Sequence, residues 1–183
     1  MGNRSTHRKR RLFSSRYVHP ERRRSRNWAL VVVGSMAMFL VVQRHVIGAG
    51  IVTDVSMLPT LREGRYFLIN KYIYHLRGPR RGEIVMFRKN PLESEYYVKR
   101  VVAVEGEAVS LRGGRVHVNG RPLEEPYARG PTYPDTEPLT IPKGFCFLLG
   151  DNRADSEDSR HFGCIAMEQI EGKLAPDRLF PAS

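Results

Sequence analysis

The chain has 183 residues, 41% of them hydrophobic, and a formal net charge of +11; that length accommodates one domain with appendages. The charge is lopsided: residues 1–27 carry ten Lys or Arg against one acid, and residues 28–183 carry twenty against eighteen, which excludes a uniformly basic, nucleic-acid-coating domain. Two cysteines, Cys146 and Cys164, are too few for a disulfide scaffold and lack metal-ligand spacing; they read as free buried thiols, with one disulfide left open for a domain outside the cytoplasm.

Met1–Asn27 is rich in Arg, Ser and His and has no apolar periodicity, so it reads as a disordered basic tail. Its runs Arg8-Lys9-Arg10-Arg11 and Arg22-Arg23-Arg24 suit anionic lipid or nucleic acid, and Arg10-Arg11-Leu12-Phe13 has the look of a twin-arginine export signal. Trp28–Val42 then runs fifteen residues without a charge, short of the ~20 of a spanning helix. Three readings compete for it: a cleaved signal peptide, with Gly48-Ala49-Gly50 as a small-residue cleavage site; a buried core helix; and a membrane anchor. The anchor gains from an interfacial Trp28 and from the apolar character that resumes at Val46–Val52 beyond Gln43-Arg44-His45. For an anchor, the basic tail would lie in the cytoplasm and everything after Gln43 outside.

From Ile51 onward, short β-branched runs are broken by Gly, Pro and Asn. Tyr66–Tyr72, Glu83–Phe87, Tyr96–Val104 and Phe145–Leu149 read as strands. Leu111–Gly120 reads as a hairpin turning at Gly113-Gly114. Residues 121–140 hold five prolines and read as a loop or irregular extension. The first segment with a helical apolar face is Ala166–Gly172, so this part of the chain is predicted to be mainly β.

Two stretches carry chemistry. Val52–Thr60 presents one hydroxyl, Ser56, between apolar neighbours and ahead of Pro59; a serine there is idle without a base. Lys99 lies in the strand Tyr96–Val104. At a pKa near ~10.4 only about one lysine in a few thousand is neutral at pH 7, but burial among apolar groups lowers that pKa by up to ~3–5 units. Strand alternation puts Tyr97, Lys99, Val101 and Ala103 on one face and Val98, Arg100 and Val102 on the other, giving Lys99 the apolar surroundings a neutral amine needs. Rival schemes fare worse. Pro59 stands where Ser-x-x-Lys needs its lysine, and Asp54 and Leu58 fill the glycine sites of Gly-x-Ser-x-Gly. A Ser–His–Asp triad has a single suspect, His161 near Asp158. Paired carboxylates and metal clusters are absent from the pattern, and nothing calls for a cofactor.

With Ser56-Met57-x-Pro59-Thr60-Leu61, Tyr97-Val98-Lys99-Arg100 and Gly150-Asp151-Asn152-Arg153-x-x-Ser156-x-Asp158-Ser159-Arg160-x-x-Gly163, in that order behind an apolar segment, the chain resembles the bacterial type I signal peptidases over roughly residues 28–180. The resemblance implies a coiled antiparallel β-sheet catalytic domain behind one N-terminal transmembrane helix. The parts would be a cytoplasmic tail at 1–27, an anchor at 28–45 and an extracytoplasmic domain at 46–183 with a hairpin-and-loop extension at about 105–140. It implies a single-pass protein of the bacterial cell membrane, with preprotein signal peptides and the lipid bilayer as partners, the export translocon as a further one, and no nucleic acid.

The resemblance also implies roles. Ser56 attacks the preprotein peptide bond and neutral Lys99 takes its proton; Ser156 orients Lys99; Asp158 pairs with Arg100; Arg160 braces the same loop. Val52, Met57, Leu61, Tyr97 and Val98 line shallow pockets for the small residues of an Ala-x-Ala-like site. The Ser56 backbone N–H serves the oxyanion hole. Some members add a serine hydroxyl two residues before the nucleophile; here that residue is Asp54, whose carboxylate accepts and opposes an oxyanion. Either it points away or the amide works with little help. Two alternatives stay in view: a self-cleaving serine–lysine repressor with a DNA-binding tail, disfavoured by the absence of a helix-turn-helix pattern in residues 1–27, and a catalytically silent membrane scaffold.

Overall fold

A computed structural model of the chain describes residues 20–175 apart from 91 and 93; the tail reading for residues 1–19 lies outside them. The chain divides into two units, one ending at Leu40 and one starting at Val41. The described residues of the first all lie in helix α1, Pro20–His45, which runs on past Leu40. Residues 20–27, assigned above to the disordered tail, belong to it: proline suits the first turn of a helix, and the Glu and Arg that follow are good helix formers. The large apolar side chains from Trp28 to Val41, among them Leu30, Val33, Met36 and Phe39, are exposed. Among the described residues no helix is long and apolar enough to cross a membrane.

The second unit is mainly β, with a curled antiparallel sheet. In chain order its strands are β1 Ile47–Ile51, β2 Tyr66–Asn70, β3 Ile84–Phe87, β4 Tyr97–Val104, β5 Ala108–Arg112 and β6 Arg115–Val118. There follow β7 Arg121–Pro122, β8 Leu139–Thr140, β9 Phe145–Leu149, β10 Ile165–Ala166 and β11 Ile170–Leu174. Seven form one sheet in the order β1-β2-β11-β3-β4-β9-β10, and four form a second in the order β7-β6-β5-β8. Two one-turn helices, α2 Ile73–Leu76 and α3 Ser159–Phe162, sit in the connections.

The expected strands are present within a residue or two of their ends. The hairpin turns at Gly113 and Gly114, both at positive φ, as a tight two-residue turn demands. The proline-rich stretch is flanked by the two-residue strands β7 and β8 and is irregular between them. Val46–Val52, counted above toward an anchor, is instead largely β1, an edge strand paired with β2. Ala166–Gly172 is not a helix. Met167–Gln169 make one 3₁₀ turn and the chain then enters β11. The Gln169 side chain ties that turn to the Ala166 N–H and to the Arg88 and Lys89 carbonyls, and seven residues are too few for periodicity to separate helix from strand.

The alternation read along β4 also fails at one point. The pairing of β4 with β9 shifts register between Val101 and Ala103, so Val101 packs with Val85, Phe87 and Leu148 while Val102 and Ala103 both join the cluster of Val109, Leu111, Val116 and Leu149. A bulge of this kind bends the sheet and lets one strand serve two cores. Both cysteines are free. Cys146 pairs across strands with Ile165, so Cys164, one residue earlier, faces the other side, and the two thiols pack into different clusters.

Candidate active site

Ser56 lies in the connection between β1 and β2, in a turn closed by Leu58 N–H to the Val55 carbonyl and Leu61 N–H to the Met57 carbonyl. The turn is clamped by the segment that follows β9. The Asn152 N–H donates to the Ser56 carbonyl at 2.9 Å, and Asn152 Nδ2 donates to the Val55 carbonyl at 3.3 Å. Lys99 sits mid-strand in β4, opposite Val85 of β3. Lys99 as a whole is 1% exposed and Ser56 is 3% exposed, and Lys99 Nζ stands 2.6 Å from Ser56 Oγ in a hydrogen bond. Burial pushes the Lys99 ammonium below its ordinary pKa; the Asp54, Asp158 and Glu157 carboxylates pull the other way without reversing it.

Asp54 does not point away. Its Oδ1 accepts from the Ser56 N–H at 3.3 Å, and its Oδ2 stands 3.9 Å from Lys99 Nζ. The local reason is spacing: a short acidic side chain two residues before an N–H readily accepts from it, the usual Asx-turn geometry.

The supporting residues pair differently from the expectation. Arg100 is held by Asp151, not Asp158, with Nε at 2.8 Å and Nη2 at 2.6 Å from the two carboxylate oxygens. Its guanidinium lies over the Tyr127 ring, 3.9 Å from the centroid, and Nη1 donates to the Gly82 carbonyl. Register explains the choice, because Arg100 stands opposite Leu149 in β9, two residues before Asp151. Thr60 Oγ1 also donates to Asp151, at 2.5 Å, which fastens the nucleophile turn to the same carboxylate.

Asp158, fully buried, takes Arg160 instead: Nε at 2.8 Å and Nη2 at 2.9 Å. It also accepts from the Gly150 N–H at 3.0 Å and from Ser156 Oγ at 2.8 Å. Burial alone would raise the Asp158 pKa, and these donors hold it below the usual carboxylate value. The Ser156 hydroxyl is therefore bonded to Asp158 and not to Lys99. His161, the suspect for a triad, accepts from the Asp158 N–H through Nδ1 as part of the α3 capping box. Among the described residues no cluster of His, Cys, Asp or Glu is arranged to hold a metal ion.

Beside Ser56 runs a groove of about 690 Å³. Val52, Met57, Leu61, Tyr97 and Val98 all line it, together with β1 from Gly48 to Ile51 and with Asp54, Lys71 and Glu95. Residue-by-residue reading missed Asp151, Asn152, Thr60 and Tyr127. Asp151, Asn152 and Thr60 stood in the motifs without a role of their own; Tyr127 carries no signal until the fold brings it to Arg100.

A family profile described as "Signal peptidase, peptidase S26" matches residues 25–176. Signal peptidase I of Leptolyngbya laminosa is 36% identical over 156 residues, covering 81% of this chain and 76% of that protein. Signal peptidase I of Bacillus caldolyticus is 35% identical over 170 residues, covering 83% and 89%. A crystal structure of a signal peptidase I from Enterococcus faecalis V583 aligns with 54% of this chain and 98% of its own at 31% identity and a TM-score of 0.47. Matched from within α1 to just past β11, this chain belongs to the signal peptidase I family, the serine endopeptidases of peptidase family S26.

Proposed function

We propose that the chain cleaves signal peptides from exported preproteins through a Ser56–Lys99 dyad, and the observation that supports this best is the 2.6 Å contact between an almost fully buried amine and an almost fully buried hydroxyl. In its neutral form Lys99 takes the Ser56 proton as Oγ attacks the scissile carbonyl carbon. The resulting ammonium returns that proton to the departing amine, and the carbonyl reforms as a Ser56 ester. Lys99, neutral again, takes a proton from water, which adds to the ester; collapse releases the second product and returns the proton to Ser56. The Ser56 N–H is the donor for the oxyanion. Arg100–Asp151 and Arg160–Asp158 act as supports: they hold the Asn152 clamp and β4 in place and touch no reacting atom.

Substrate selection follows from the groove. Val52, Met57, Leu61, Tyr97 and Val98 make its walls apolar next to Ser56, which suits small side chains one and three residues before the cut. The exposed apolar length of α1 supports a membrane anchor, with the basic tail in the cytoplasm and the β unit outside. Detergent-solubilised protein incubated with a preprotein is the test. Cleavage after an Ala-x-Ala site, abolished in Ser56→Ala and Lys99→Ala, is expected. Cleavage by neither wild type nor variants would favour the silent scaffold, and cutting of the chain itself with DNA binding would favour the repressor.

A further inference from the structure

The free site contains a contradiction that the dyad alone does not resolve. The one backbone donor that an oxyanion needs, the Ser56 N–H, is already taken by the Asp54 carboxylate, and the other oxygen of that carboxylate stands 3.9 Å from the amine that must be neutral. Both effects oppose the reaction: a carboxylate repels a developing oxyanion, and a nearby negative charge favours the ammonium form of a lysine. Yet the hold is loose. The N–H···O distance of 3.3 Å is beyond the range of a strong bond, and the Asp54 side chain is 65% exposed whereas that of Lys99 is 2% exposed. Water is available to receive this carboxylate as soon as it lets go.

We infer that Asp54 is a displaceable plug: it holds the oxyanion donor in the free enzyme and is expelled when the scissile carbonyl takes that N–H. This rests on the dyad reading above and deepens it. Expulsion does two things in one movement. It frees the donor, and it removes from Lys99 a carboxylate that favours the ammonium form, so proton loss becomes easier where and when a substrate is present. The other charged groups facing Lys99 are poorly suited to this part. Asp158 is buried and locked to Arg160, Glu157 is paired with Lys89, and Arg160 repels the ammonium but is tied to Asp158. Lys71 and Glu95 line the same groove. Among the described residues, the ion pair of Asp54 is with Lys99.

The mechanism predicts a split that a merely structural aspartate would not give. The acid limb of kcat/KM reports the free enzyme and that of kcat the substrate-bound enzyme. Asp54→Asn keeps the shape and an acceptor oxygen but removes the charge. It is expected to lower the acid limb of kcat/KM by about one pH unit, giving up to about tenfold more activity below that limb, and to leave the acid limb of kcat in place. Asp54→Ser supplies a hydroxyl donor beside the oxyanion, and kcat is expected to rise by about tenfold. The measurement is the pH–rate profile of preprotein cleavage by the full chain in detergent, with Ser56→Ala and Lys99→Ala alongside. If the Asn variant moves neither limb, or moves both equally because the carboxylate stays with the substrate bound, the plug is overturned while the dyad stands. If Ser56→Ala or Lys99→Ala still cleaves, the dyad falls and the plug falls with it.

Discussion

Lys99 is the residue at which function and stability oppose each other. A lysine 1% exposed in a β-strand is held below its ordinary pKa by burial, and in its charged form it destabilises the fold. The sign follows from linkage. Between the lowered folded-state value and the unfolded value near ~10.4, the unfolded chain binds a proton that the folded chain does not, so stability rises with pH across that window. Below the folded value the penalty is fully present. Lys99→Met, similar in length and apolar, removes both the penalty and the slope. It is expected to abolish cleavage and to stabilise the protein by about 1–3 kcal/mol at pH 6, several degrees in Tm, with the gap to wild type closing toward pH 10. Thermal unfolding of the two proteins from pH 5 to 10 checks it; a variant less stable than wild type throughout would show that the amine contributes more by bonding to Ser56 than it loses by burial.

At the scale of elements, the site is assembled by the end of β9 meeting the turn before β2, and Gly150 is the hinge of that meeting. A Cβ there would lie 2.1 Å from Ser156 Oγ and 2.7 Å from the Ser56 carbonyl oxygen. The serine side chain can turn aside, but the backbone carbonyl is the one that Asn152 clamps. Gly150→Ala should therefore cost about 1–3 kcal/mol of stability by overpacking and push the nucleophile turn off Lys99, lowering kcat by about 100-fold. Activity and Tm measured together decide it; a variant with normal kcat would mean the turn yields without displacing Ser56.

The same junction separates what the sequence made readable from what it did not. Ser56 and Lys99 were readable because each had a chemical reason to need the other, and β4 and β9 because β-branched and aromatic runs with flanking turns have few other uses. The partners of Arg100 and Asp158 were not, since Asp151 and Asp158 each suit either arginine until strand register decides. The face assignments failed beyond Val101 because a bulge leaves no mark in the pattern of residue types. Ala166–Gly172 misled because it is short enough to satisfy two periods at once.

At the scale of the whole chain, the β unit carries the proposed chemistry, and α1 carries an apolar surface with nothing charged along its middle. Trp28 to Val41 are exposed without a break in their large side chains, which differs from the one-sided pattern of a helix lying in the membrane surface. Fifteen charge-free residues reach only about 22 Å, short of a ~30 Å hydrocarbon core, so spanning requires the flanking segments to take part, by local thinning of the bilayer and by long side chains reaching for the interface. For the anchor proposed above, the positive-inside rule would set the orientation. Single cysteines at Ser5 and at the exposed Arg112 test this in intact cells with a membrane-impermeant maleimide, against the background of the buried Cys146 and half-buried Cys164, whose thiols burial keeps protonated, that of Cys146 pushed up to about 12. Ser5→Cys should be labelled only after permeabilisation and Arg112→Cys before it. Equal labelling of the two positions would place both ends of α1 on one side, and the anchor would have to be a surface helix instead.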